Sequence, residues 1–173
     1  HGERAFDVSE KIRAMILDCG CPGEYPSWND EDVSLDGARA HVMPIPMFVH
    51  MPLAYEAYLR RQQEQISRLE LPEKWPGFVM TKTGWLRGQI IRLLENVQSP
   101  SRFVTFLPKP FRVHAKLHPG DIGTITRTVR SVQTTLFDQG RKPKELYLCY
   151  LTCPRCEEQR GGPARGDLHG ARD

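Results

Sequence analysis

Between Phe111 and Leu151 the hydrophobic pattern changes period twice, which restricts this stretch to a strand, a helix and a second strand. Phe111, Val113, Ala115 and Leu117 alternate with Arg112, His114, Lys116 and His118, the period of two of a strand with one buried face. Asp121 is placed to cap a helix in which Ile122, Ile125, Val129, Val132 and Leu136 recur at spacings of three and four. Gly140 ends it, with Pro143 just beyond. The run ELYLCYL from Glu145 is apolar on both faces and suits an interior strand.

The rest of the chain reads as further strands and helices. Asp7 and Glu10 form a capping box for a helix from Val8 to Leu17, with Ile12, Met15 and Ile16 on one face. An acidic loop follows, with six carboxylates and no Lys or Arg between Asp18 and Asp36. Its Asp30, Glu31 and Asp32 lack the spacing of a calcium loop. Ala40 to Val49 suits a strand, and Pro44 and Pro46, lacking donors, place it at an edge or a bulge. From Pro52 a helix carries Tyr55, Leu59, Gln62, Ile66 and Leu69 on one stripe. Phe78 to Thr81 is a short strand. Leu86, Ile90, Leu93, Leu94 and Val97 predict a helix over 86–97, although QIIRLLEN also suits a strand. Arg102 to Leu107 and Phe111 to Leu117 are β-rich segments joined through Pro108 and Pro110. The expected fold is α+β, a mostly antiparallel sheet packed against two or three amphipathic helices. Residues 1–39 form an N-terminal helix and acidic loop, 40–156 the core, and 157–173 a flexible, basic, Gly-rich tail.

Composition narrows the function classes. Fourteen Pro and fourteen Gly in 173 residues argue against a helical bundle. No apolar run reaches the roughly 18 residues of a membrane-crossing helix, and the first residues lack the apolar core of a secretory signal. The expectation is a cytoplasmic or organelle-interior protein with no membrane partner. The formal charge of +3 hides an asymmetry: residues 1–101 hold 11 Lys or Arg against 14 Asp or Glu, and residues 102–173 hold 13 against 7. Arg112, His114 and Lys116 could therefore form a basic surface for nucleic acid, or simply the solvated outer face of a sheet. His114 and His118 lie about 13 Å apart along an ideal strand, too far to share one metal.

Five cysteines fall in two places. Cys19 and Cys21 form C-G-C, while Cys149, Cys153 and Cys156 end the last strand, with C-P-R-C closing the group. Two chelating pairs, Cys19 with Cys21 and Cys153 with Cys156, would supply the four thiolates of a structural zinc site. Filling all four positions leaves no open coordination for catalysis. A redox pair of Cys153 and Cys156, or independent thiols, are the other readings, and Cys149 belongs to the core. His41 and His50 with Met43, Met47 and Met51 suggest either soft-metal capture or core packing. Trp28, Trp75 and Trp85 would frame a ligand or cover a core edge. No phosphate loop, nucleophile elbow or H-E-x-x-H is present.

The segment HAKLHPGDIGTITRTVRSVQTTLFDQGRKPKELYLCYLTCP resembles the closing portion of the GyrI-like (gyrase-inhibitor-like) small-molecule-binding family. The matching features are His118 and Gly120 in an H-x-G-like turn, the helix to Leu136, Gly140, and Glu145, Tyr147 and Leu148 ahead of Pro154. PMFVHMPLAYEAYLRRQQEQISRL is a looser parallel in the first half. The resemblance implies a pseudo-duplicated β-α-β-β fold whose groove takes amphipathic or cationic ligands, with the last-strand Glu as anionic contact. Glu145, Tyr147 and His118 would then line that groove. The leading expectation is a non-catalytic domain that binds a small molecule or a protein and carries structural zinc. A zinc-stabilised nucleic-acid-associated protein and a thiol enzyme centred on Cys153 and Cys156 are the alternatives.

Overall fold

A computed structural model describes residues 26–95, 102–118 and 125–149, and the backbone of residues 168–172. Along the chain these form β1 (Glu31–Ser34), β2 (Arg39–Phe48), β3 (Met51–Pro52), α1 (Tyr55–Arg68), β4 (Met80–Lys82) and β5 (Arg87–Leu93). They continue as β6 (Thr105–Phe106), β7 (Arg112–Leu117), α2 (Ile125–Asp138), β8 (Glu145–Cys149) and β9 (Leu168–Arg172). The helix expected over Val8–Leu17 lies outside the described residues, as do Cys19, Cys21, Cys153 and Cys156.

All the strand pairings among these residues are antiparallel, in the order β1-β7-β9-β8-β4-β5-β2-β3, with β6 on β2. Two β-α-β-β units are visible in that order. The succession β2-α1-β4-β5 is repeated by β7-α2-β8-β9, and each unit places its last strand between its first two. The units meet where β4 pairs with β8. The sheet then curls until its ends join. β1 pairs with β7, β6 pairs with β2, and between them Leu35 N donates to Phe111 O (2.8 Å) and Gly37 N to Leu107 O (3.1 Å).

Curling gives the sheet an inner and an outer face, and alternation sorts the side chains between them. Ala40, Met80, Ile91, Leu93, Val113, Ala115, Tyr147 and Cys149 point inward and form the main core with Leu35, Phe78, Leu107 and Phe111. Cys149 is core, as its strand predicts. On the outer face Ile45, Met47 and Ile90 pack with Tyr55, Tyr58 and Leu59 of α1. Gly88 permits that packing, because a Cβ there would meet the Met47 Cε at 2.3 Å and the Lys82 carbonyl oxygen at 2.5 Å.

The prolines of β2 sit as their chemistry requires. Met47 N bonds toward β5 through Leu86 O, whereas Pro46 O accepts from Leu53 N on the opposite side. Pro44 and Pro46 therefore turn their missing donors to the edge that faces away from β5.

One segment differs from expectation. The helix predicted over 86–97 is strand β5. The inner core covers one of its faces and α1 the other, so Ile90 and Ile91 are both buried and no alternation shows in the sequence. The backbone of Leu168–Arg172 runs as β9, which pairs with β7 on one side and β8 on the other.

Candidate functional site

The register carries one row of residues across the inner face. Pro44 stands opposite Gln89, Gln89 opposite Lys82, Lys82 opposite Tyr147, and Tyr147 opposite Gly170 beside Ala115. One row away, Cys149, Met80, Ile91 and Val42 are wholly apolar and close the core. The inner face thus changes from hydrocarbon to polar groups toward one end.

At that end Glu145 receives two partners. Its Oε1 lies 3.1 Å from Lys82 Nζ, and the Tyr147 hydroxyl donates to its Oε2 at 2.8 Å. Tyr147 is itself fixed, buried and with its ring 5.8 Å from that of Phe111. The Lys82 and Glu145 side chains keep about a third and a fifth of their surface in solvent. The arrangement is an oriented carboxylate at the edge of an apolar interior, paired with the Lys82 ammonium. It holds Glu145 and Tyr147 together, as the sequence reading grouped them.

His118 is not part of that group. It follows Lys116, whose row-mate in β8 is Leu148 rather than Tyr147, so the sheet separates it from Glu145. His118 is buried, and its Nδ1 is 2.7 Å from the Thr128 hydroxyl of α2.

Of the expected basic surface, Arg112 is exposed and Lys116 half-buried, but His114 is buried among acids. Its Nδ1 is 3.0 Å from Asp32 Oδ1 and its Nε2 is 3.4 Å from Asp30 Oδ1. Arg141 Nη1 reaches the same Asp32 oxygen at 2.8 Å. Burial alone would raise the Asp32 pKa, yet Arg141 and His114 outweigh it and hold the carboxyl below its ordinary value. The acidic first part of the chain and the basic second part meet here, across the β1–β7 ladder.

The remaining candidates do not converge. Among the described residues no group of three His, Cys, Asp or Glu could hold a metal ion. Met43 and Met47 pack beneath α1, while the His50 ring stands edge-on to Trp85 at 6.1 Å. Trp28, Trp75 and Phe78 form an edge-to-face group on the inner core.

A buried polar network under α1 escaped the sequence reading. The Gln62 amide nitrogen donates to His41 O (3.2 Å) and Ile90 O (3.1 Å) and lies 3.1 Å from His41 Nδ1, while its oxygen accepts from Arg92 Nε at 3.1 Å. Arg92 Nη1 also donates to Gln63 Oε1 and pairs with Glu73 Oε1 at 3.1 Å, both side chains almost fully buried. Burial, followed by the Arg92 charge, keeps the His41 pKa below its ordinary value. Burial pushes Glu73 the other way, upward, against the pull of Arg92. The signal for this network was Gln62 itself, one polar residue on the apolar stripe of a helix.

Neither a family model nor a curated protein matches this chain.

Proposed function

We propose that the protein is a non-catalytic binding domain, GyrI-like in kind, whose Glu145 takes a small amphipathic cation. The observation that carries this reading is the position of Glu145 in the seam where two β-α-β-β units meet, oriented by Tyr147 and occupied by the Lys82 ammonium. An ionised pair of this exposure contributes little to stability, so exchanging Lys82 for another cation costs the fold little. The apolar row beside it offers the hydrocarbon part of such a ligand a surface.

The reading includes a structural zinc on Cys19, Cys21, Cys153 and Cys156. Four thiolates in two chelating pairs are the donor set zinc prefers. It is supported by where the neighbouring chain leaves the described fold. Leu117 N donates to Asn29 Oδ1, and Leu117 and Cys149 share one cross-strand row through Leu168. Residues 29 and 149 therefore belong to the same end of the sheet.

The test is equilibrium binding of a panel of lipophilic monocationic dyes to the full chain. Glu145→Gln is expected to weaken binding about tenfold or more with an unchanged circular dichroism spectrum, and Lys82→Met to strengthen it by removing the internal competitor. Equal affinity in Glu145→Gln and the parent, or no binding of any dye, would sink the proposal.

A further inference from the structure

One end of the sheet displays large apolar side chains to solvent. Phe48, Met51, Trp85 and Leu86 are each 59–69% exposed, and Val49 and Leu53 stand beside them. Backbone hydrogen bonds bring the segments that carry them together. Met47 N donates to Leu86 O (2.9 Å), Val49 N to Trp85 O (2.8 Å) and His50 N to Gly84 O (3.1 Å), which fixes the β2–β3 turn against the β4–β5 connection.

The turn is built against local preference. Val49 and His50 are the central residues of a two-residue hairpin loop, with φ of 49° and 63°. Such a turn favours Asn-Gly, and a β-branched residue at positive φ is strained. Solubility also disfavours valine there, so a contact outside the chain explains it better than the fold does.

Area identifies the occupant. Ordinary side-chain areas scaled by these exposures leave on the order of 600 Å² of apolar surface per copy, at the upper end for a monomer's largest patch. Two such patches face to face bury about 1,200 Å², the lower limit of a stable specific interface. The chain carries no Asp or Glu from Arg39 to Tyr55 or from Lys74 to Leu94, so no carboxylate of these stretches is desolvated when the patch is covered, and exposed Arg87 stands beside Leu86. Pro44 and Pro46 deny a strand to the adjoining edge of β2, so association runs through side chains and closes as a twofold pair rather than extending the sheet.

We propose that this patch is the interface between two copies of the chain, with Phe48 and Trp85 of each buried against the other. Sedimentation velocity of the full 173-residue chain, from about 1 to 200 µM, is expected to show a monomer–dimer equilibrium. Phe48→Ser with Trp85→Ser should raise its dissociation constant about thirtyfold or more, whereas Phe137→Ser, exposed on α2, should leave it unchanged. If the double variant fails to fold, Met51→Gln alone reports on the same surface, with a smaller loss in the same direction. A chain that stays monomeric at the highest concentration overturns the proposal, as does a dimer indifferent to these substitutions. So does a monomer that co-sediments with phosphatidylserine vesicles through Phe48 and Trp85, since the patch would then meet lipid.

Discussion

Replacing Gln62 by leucine tests whether the polar network under α1 holds the helix to the sheet. Leucine is close in size and forms helix well, so the change removes hydrogen bonds without opening a large cavity. The amide nitrogen donates to two carbonyl oxygens, and its oxygen is the acceptor for Arg92 Nε. Losing two neutral donor bonds costs about 1 kcal/mol each, and leaving a charged donor of Arg92 unmet costs about 2 kcal/mol more. The leucine side chain returns about 1 kcal/mol through burial, for a net loss of about 3 kcal/mol. In a chain of this length that lowers Tm by roughly 6–12 °C. Urea unfolding followed by far-ultraviolet circular dichroism should show a lower midpoint at an unchanged slope. In a double-mutant cycle with Arg92→Met, the two losses should couple by about 1 kcal/mol or more. A Gln62→Leu protein as stable as the parent would show that the network is incidental to the packing.

Two other outcomes follow from features already described. Because burial and Arg92 lower the His41 pKa, the unfolded chain takes up a proton near 6.5 while the folded chain does not. The contribution of neutral His41 is complete above that pH and lost as the pH falls below it. The Tm advantage of the parent over His41→Asn should therefore shrink between about pH 7.5 and pH 5.5 in scanning calorimetry; a constant difference would refute the neutral assignment. For the cysteines, protein purified without added metal should contain about one zinc per chain. Metal-free protein with Cys19, Cys21, Cys153 and Cys156 all open to thiol reagents would remove the zinc site.

What could be read from the residues depended on how many faces each element buries. β7 and both described helices bury one side, so their periods survive in the sequence. β5 buries two, and its Ile90–Ile91 pair imitates a helical stripe when counted with Leu93, Leu94 and Val97. The donor-free residues of β2 announced an edge, because a missing N–H has the same consequence in any fold. Glu145 and Tyr147 came from a resemblance, and Lys82, their partner, carried no signal before the β4–β8 register was known. His118 was grouped with them in error for the same reason. Which face of β7 matches which face of β8 depends on β9 between them, and the LHGAR of β9 has no alternating apolar pattern to reveal it.

The interposed position of β9 has a consequence for the order in which this protein can be made. β7 and β8 are synthesised before residues 168–172, yet among the described strands they are joined in the sheet only through them. Until those residues leave the ribosome, the second β-α-β-β unit has two unsatisfied strand edges and no continuous sheet, and the nascent chain is exposed to wrong pairing for that interval. Removing the segment would not trim a loose end. It would divide the sheet between β7 and β8, leaving the ladders of β1 with β7 and β6 with β2 to hold the halves together.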